Sequence, residues 1–542
     1  MISVREPMKK KPPVMAETMG MSSSDICDND GGHLVINKND TPSQRRVCCG
    51  WLSFQSVSEA KGYNLSGLAN GGVIMSNIFL ASSLIHLACD EAGGLDPESG
   101  TCDSQVSVRG MKPSSLITNI AVISGLLGAF FMPVFGAIVD FTPHRKLTGI
   151  VSVIVLTLIQ AVQIGTTQKT WFPMAILQAV AGFIFQIQIV AIYSYLPEMA
   201  RHVGQDHMNS FAAIFTMTQF SSEAIFIVVV TAFGIGLNLD TVQTAMVSQS
   251  VSVLWCLLFF TTSWWYFPKR PARHSLEGSK QKSILMAGFY QNYKTAKLIW
   301  TKYRKGLKWY LLALMFADSS ASAMVTVSVT YLSDTVGLTS TEIGIFFLVA
   351  LIGTIPGSKM GSMVTAKTNP NTSWKMSQLF LTIVTIIGAV TMEDINGPKE
   401  LSFIWGLVVG ILLGWFYHTE SLFFSMCLPK GQEAELAGFF VYCTQILSWL
   451  PPLLFTILVE NDISQKYGVI ATSFGFLVGA VLLSCTGSWT EIVEEADRNL
   501  SVVLAVLAIE EVEHNEGPVD KDMETGSVTK SDDNSVPEPE GV

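Results

Sequence analysis

The chain has 542 residues, a formal net charge of −10 and a mean hydropathy of +0.40; it is 49% hydrophobic and only 14% charged. Soluble domains carry roughly 25% charged residues, and the long uncharged runs left here each supply the ~20 apolar residues that cross a ~30 Å hydrocarbon core. This excludes a soluble domain; the runs are unbroken rather than alternating, which excludes a membrane β-barrel, and no phosphate loop, hydrolase or metalloprotease signature points to an ATP-driven pump or an enzyme.

Residues 1–49 are polar, with Lys9 to Lys11 near the start and no apolar signal core. They are expected to form a disordered cytoplasmic tail. Cys48 and Cys49 close it, as palmitoylation candidates or as plain cysteines. A first block of six spans is expected over 50–267. Span one, about Gly50 to Ala88, opens amphipathically with Glu59 and Lys61 as expected partners, then turns rich in small residues. Small residues let membrane helices approach closely. The acidic loop that follows holds Cys89 and Cys102, which form a disulfide if the loop faces an oxidising lumen.

Spans two (Ser114 to Phe141) and three (Leu147 to Thr166) flank the stretch GAIVDFTPHRK. Span four (Trp171 to Leu196) carries Gln178, Gln186 and Gln188. Gln186 and Gln188 fall on opposite helix faces, so one of them is expected to reach an interior cavity. Span five (Met208 to Leu237) contains Glu223, and span six (Ala245 to Phe267) ends in the interfacial aromatics WWYF.

Residues 268–307 form a basic linker with Lys269, Arg270, Lys294, Lys297, Lys302 and further cations. Its segment MAGFYQNYKTAKLIWTKY is amphipathic and is expected to lie along the membrane surface. A second block over 308–489 repeats the scheme, with spans Lys308 to Leu332, Glu342 to Val364, Trp374 to Met392, Leu401 to Leu428, Glu433 to Val459 and Tyr467 to Trp489. Within it, GTIPGSKMG is expected either to bend at Pro356 or to pack closely through its glycines. Cys256, Cys443 and Cys485 lie in apolar runs and read as buried small residues. Residues 490–542 hold a short apolar stretch, Leu500 to Ile509, and an acidic tail. The fold class is therefore an all-α membrane protein of twelve transmembrane helices in two six-helix bundles. Arg145, Lys146, Arg201, the linker cations, Lys367, Lys375 and Lys430 fall on one side. Lys and Arg concentrate on the cytoplasmic side, so both termini are expected there.

The joint between spans two and three sets Gly136, Asp140, Arg145 and Lys146 around a tight polar corner. Gly136 is expected to allow close helix approach, and Asp140 to pair with Arg145 in one conformation and release it in another. A plain positive-inside corner is the alternative. In place and composition the stretch resembles the loop signature of the major facilitator superfamily, G-x-x-x-D-[RK]-x-G-[RK]-[RK]. It departs at Phe141, Pro143 and His144, and the second-half counterpart has Thr365 in place of the aspartate.

A closer resemblance lies in LPKGQEAELAGFFVYCTQILSWLPPLLF, residues 428–455. Pro429, Gly431, Glu433, Glu435, Gly438, Ser448, Trp449 and Pro452 resemble the vacuole-effluxer branch of that superfamily, the autophagy-related vacuolar amino-acid exporters and their relatives. GWLSF with SEA at Gly50 to Ala60, YLPEM at Tyr195 to Met199 and FAD at Phe316 to Asp318 also fit. Leu436, Ala437, Pro451 and Glu420 depart from the branch pattern. The resemblance implies alternating access, a vacuolar or other endomembrane location and amino acids or similar small polar metabolites as substrate. The alternatives are a facilitator for another organic solute, or a receptor or scaffold on a transporter fold.

Ionisable residues inside a membrane cost about 2.5–3.5 kcal/mol each at a helix centre, so each is a functional candidate. Glu223, Asp318 and the span-ten pair His418 and Glu420 are the best of these, with Gln186 added, as candidates for substrate binding or proton coupling. Burial of a carboxylate favours its protonated form, and histidine titrates near neutral pH. The alternative is that they pair with Gln or Ser across helices. The expected partners are a small-molecule substrate, protons and the bilayer, with no nucleic acid, no metal and no cofactor, for a chain acting as a monomer.

Overall fold

The computed structural model describes residues 58–96, 102–103, 105–196, 199, 208–272, 283–303, 306–392, 399–427 and 433–495, without the side chains of 208–210, 212, 213, 433–435 and 437. The tail at 1–49, nearly all of 490–542, Cys48, Cys49, Arg201, Pro429, Lys430 and Gly431 lie outside the described residues, as does the Glu435 side chain.

Among the described residues there are fourteen α-helices. They are α1 (Ser58–Ala92), α2 (Leu116–Phe141), α3 (Arg145–Gln163), α4 (Trp171–Tyr193), α5 (Met208–Gly236), α6 (Thr241–Tyr266) and α7 (Ile284–Lys302). The second half contributes α8 (Leu307–Asp334), α9 (Ser340–Lys367), α10 (Pro370–Thr391), α11 (Glu400–Cys427), α12 (Glu433–Ile446), α13 (Leu450–Glu460) and α14 (Gln465–Leu483). Twelve segments are long and apolar enough to cross a membrane; α12 and α13 share one of them, and α7 belongs to none.

Helix starts follow local chemistry. Asp240 caps α6 by accepting from Gln243 N at 2.7 Å, and Thr339 and Glu342 form a reciprocal box at the start of α9. Asn369 caps α10, with Pro370 in the first turn, where its missing N–H costs nothing.

The faces are reversed relative to a soluble bundle. On α3 the exposed stripe is Leu147, Val151, Ile154, Leu158 and Val162, and the buried stripe includes Arg145, Gly149, Ser152 and Gln160. Lipid replaces water outside, so apolar side chains gain nothing by turning inward, and small or polar residues mediate packing. α1 and α8, the first span of each half, are the most enclosed, with 83% and 61% of their apolar windows buried. Gln160 of α3 ties α1 to α6, donating to Ser76 Oγ at 3.2 Å and Ser252 Oγ at 2.9 Å. Trp255 Nε1 donates to the Leu68 carbonyl at 2.8 Å.

The most extensive pair is α9 with α11. A Cβ at Gly357 would sit 2.0 Å from the Ile411 carbonyl oxygen, and one at Gly410 would sit 2.0 Å from the Ala350 oxygen. The two backbones touch through glycines four residues apart on both helices. Close packing, not a bend alone, is what GTIPGSKMG achieves.

Three expectations are corrected. Span eleven is not continuous: α12 ends at Ile446, residues 447–449 form a turn, and α13 starts at Leu450. Pro451 and Pro452 lack the N–H donors that would bond back to Leu447 and Ser448, so the helical ladder is broken there and restarts with both prolines in its first turn. Cys485 is exposed, because it lies beyond the end of α14; Cys256 and Cys443 are buried. Glu59 is bridged by Arg270, not Lys61, which is exposed. Residues two apart on a helix lie on different sides.

Candidate functional site

Asp318 sits half-buried on α8, between buried Ala317 and Ser319. It makes no hydrogen bond or ion pair with another described residue. Its electrostatic neighbours are Tyr193 of α4, Tyr310 of α8, and Tyr417 and Glu420 of α11. Glu420 is buried, and its Oε2 has no hydrogen-bond partner. Tyr310 donates from its hydroxyl to the Glu420 carbonyl at 3.1 Å, and its ring lies 4.7 Å from Phe423 and 5.3 Å from Trp374. Tyr193 belongs to a ring cluster from the first half, 6.1 Å from Tyr63 and 5.5 Å from Phe215. Two carboxyl groups and three tyrosines, drawn from both halves of the chain, thus lie within electrostatic range of one another.

Glu223 of α5 is buried and accepts from Gln219 Nε2 at 3.0 Å. Tyr417 is also its electrostatic neighbour, so this one tyrosine lies within electrostatic range of Glu223, Asp318 and Glu420. Sequence reasoning missed Tyr417, because a tyrosine in an apolar span carries no charge signal. His418 does not join Glu420. It is half-buried while Glu420 is buried, since the two residues are about 200° apart on the helix. Gln186 packs on α2, its Oε1 1.9 Å from where a Cβ at Gly128 would lie. Gln188 is the more deeply buried of the pair, and neither of its amide atoms has a hydrogen-bond partner. Asn70, in the small-residue stretch of α1, is in the same condition. Buried polar groups are ordinarily satisfied, and these amides are among the exceptions within the described residues.

The corner at Arg145 holds the first half together. Arg145 is buried, with Nε 3.5 Å from the Val139 carbonyl, Nη1 3.5 Å from the Ser194 carbonyl, and its guanidinium 5.3 Å from the Tyr195 ring centroid. Lys146 Nζ donates to the Phe267 carbonyl, linking α3 to the end of α6. Asp140 is half-buried beside them. Gly136 is not a close approach among the described residues: a Cβ there would meet no described atom within 4 Å, and the close contact on α2 is instead at Pro133, whose carbonyl meets Gly288 of α7. In the second half Thr365, standing where an aspartate was expected, donates to Ser373 Oγ at 2.9 Å, and Trp415 Nε1 donates to the same oxygen at 2.9 Å.

At the opposite end the halves are fastened together. Glu460, at the end of α13, accepts from Lys112 N at 3.0 Å and from Ser115 Oγ. Lys112 Nζ pairs with Asp462 at 2.5 Å, Thr118 meets Thr456 at 2.7 Å, and Ser340 donates to Ser82 at 3.1 Å. These side-chain hydrogen bonds between the first six and last six spans all lie at this end. Here too the Cys89 and Cys102 sulfurs are bonded, with Cα atoms 5.8 Å apart. A cavity of about 90 Å³ beside them is lined by His86, Asp334 and Thr339, among others.

Near mid-helix the break in span eleven meets α2: a Cβ at Gly125 would sit 2.9 Å from Trp449 N and 3.0 Å from Ser448 Oγ. Trp449 Nε1 donates to the Ile446 carbonyl at 3.0 Å, closing α12, and Pro452 is buried in the first turn of α13. Interrupted membrane helices expose backbone polar groups at binding sites.

A family model described as vacuole effluxer Atg22 like matches residues 55–501. No curated protein sequence matches the chain significantly. Among solved structures, the inward-open xylose transporter XylE from E. coli is similar at a TM-score of 0.54 and 12% identity, covering 80% of this chain and 98% of that one. A partially occluded inward-open form of XylE from E. coli matches at 0.52 and 10% identity, over 79% and 97%. A D-xylose–proton symporter matches at 0.53 and 12% identity, over 78% and 96%. At such identities the likeness establishes the major facilitator fold and nothing of cargo.

Proposed function

This chain belongs to the vacuole effluxer Atg22-like family and is a multi-pass membrane transporter of the major facilitator type, and on that premise we propose that it is a secondary active, proton-coupled carrier of small polar metabolites, amino acids first among them. The observation that carries this is the Asp318 cluster. Alternating access requires a site shared by two moving halves, and this cluster draws Tyr193 from the first half and Tyr310, Tyr417 and Glu420 from the second. An ammonium group suits two carboxyl groups rimmed by aromatic rings, through ion pairing and cation–π attraction. The same carboxyl groups, with Glu223, are suited to carry a proton when the ammonium is absent.

The moving bodies are spans one to six (50–267) and seven to twelve (308–489), joined by the linker at 268–307. The Arg145 end faces the cytoplasm, as do both termini, which the clustering of Arg145, Lys146, Lys269, Arg270, Lys294 and Lys297 at that end supports. Gly136, Asp140, Arg145 and Lys146 form the corner about which that end opens. A vacuolar or related membrane suits the family.

Purified protein in proteoliposomes, offered labelled amino acids with and without an imposed pH gradient, tests the proposal. Flux driven by the gradient in the wild type and lost in Asp318→Asn is expected. Gradient-driven flux that survives in Asp318→Asn removes the coupling assignment. Absence of any solute flux favours a receptor on a transporter fold.

A further inference from the structure

The linker helix α7 has two unlike sides. Ala287, Gly288, Thr295 and Ile299 are buried, and Gly288 rests on the Pro133 carbonyl of α2. Met286, Phe289, Tyr290, Tyr293 and Trp300 are exposed. At 100° per residue these five fall within a single arc of about 100°. Lys297 lies inside that arc and Lys294 borders it, both exposed. Phe289 meets Phe130 of α2 at 5.9 Å, and Phe130 is itself 59% exposed on a membrane span. The aromatic face of α7 is thus continuous with the lipid-facing surface of the bundle. Near the far end, Lys308 Nζ lies 3.8 Å from the centroid of Trp300.

A water-facing surface does not gather five large apolar side chains, and a purely hydrocarbon-facing one does not carry lysines in the same stripe. Aromatic rings with interleaved lysines suit the headgroup layer, where rings enter the acyl boundary and ammonium groups reach phosphate. We propose that α7 is a recognition helix for anionic phospholipid headgroups in the leaflet at the Arg145 end, with Lys294 and Lys297 selecting the charge. Because α7 is seated on Pro133, where α2 already lacks one internal hydrogen bond, and also touches α8 and α12 of the second half, lipid held on α7 biases both halves at that end.

Bromine-labelled lipids test this on the full chain in bilayers. Quenching of Trp300 is isolated as the difference between wild type and Trp300→Phe, with either brominated phosphatidylserine or brominated phosphatidylcholine as the labelled component. The expected result is a preference for the anionic lipid that falls by about fivefold per lysine removed, so about 25-fold in the double variant Lys294→Gln/Lys297→Gln. Both lysines are exposed, so the variant should keep its melting temperature. High salt should erode the wild-type preference, since the Debye length drops to about 3 Å at 1 M; this second measurement needs no variant beyond the Trp300 reference. Equal quenching by both lipids, a preference untouched by salt or by the double variant, or no quenching by either lipid overturns the proposal; the last would mean that protein covers the face.

Discussion

Glu460→Ala should loosen the closed end. The carboxylate receives two charge-assisted hydrogen bonds from the opposite half, from Lys112 N at 3.0 Å and from Ser115 Oγ. Hydrogen bonds to charged groups contribute about 1.5–3 kcal/mol each when well shielded. Glu460 is only half-buried, so solvent screening reduces the sum to about 1–2 kcal/mol. The Lys112–Asp462 pair survives the substitution, but Asp462 is exposed and such a pair contributes little. At 1.4 kcal/mol per tenfold, the open fraction at this end should rise about 5- to 30-fold. Ser340, buried against Ser82 across the halves, reports it: a cysteine placed there reacts with a polar maleimide only when this end opens. The background replaces Cys27, Cys48, Cys49 and Cys485 with serine and keeps the buried Cys256, Cys427 and Cys443. An alkylation rate that stays the same or falls in Glu460→Ala, with elution profile and melting temperature preserved, refutes the latch.

Gly357→Leu should abolish recovery of folded protein, because even a Cβ would lie 2.0 Å from the Ile411 carbonyl and backbone cannot step aside; a monodisperse, thermally stable variant contradicts the seam. Cys89→Ser with Cys102→Ser should cost about 3 kcal/mol on the chain-entropy account for a loop of this length, and lower the melting temperature by a few degrees; an unchanged melting curve removes that role. Replacing Pro451 and Pro452 together with alanine should let α12 and α13 fuse, slowing transport while leaving thermal stability equal or higher. Wild-type turnover in that variant would mean the break serves no moving part. Tyr417→Phe should weaken coupling between solute and pH gradient without unfolding the protein, measured as the ratio of gradient-driven to gradient-free uptake.

The spans were legible because hydropathy acts over twenty residues at a time, and the helix at 284–302 was legible because its two faces differ. Contacts between distant residues were not. Nothing near Glu59 in the chain announces Arg270, and nothing near Glu460 announces Lys112, 348 residues away. Pairing of that kind is set by how the bundles dock. One misreading had a signal available. Pro451 and Pro452 mark the interruption of span eleven, yet they sit in an apolar run that a hydropathy window reads straight through. Asp318 and Glu420 were legible as charges in lipid, but their tyrosine surroundings were not, since Tyr193, Tyr310 and Tyr417 look like ordinary span residues until the helices are packed.

The glycine seam between α9 and α11 sets backbone against backbone at Gly353, Gly357, Gly410 and Gly414, with Phe346 and Trp415 closing its ends. Two backbones in register contact can separate as a block or stay together, and little lies between. Glu420 and Tyr417 therefore ride on a stiff double plank, while Asp318 stands on α8, a neighbour with only slight contact to α11. A shift of the plank changes the spacing between the two acids before it changes anything inside the plank itself. The softer joints are elsewhere, at the span-eleven turn and at Pro133. In mechanical terms, the proposed carrier's second half has one rigid arm, and the interrupted helix lying against α2 is where that arm would turn.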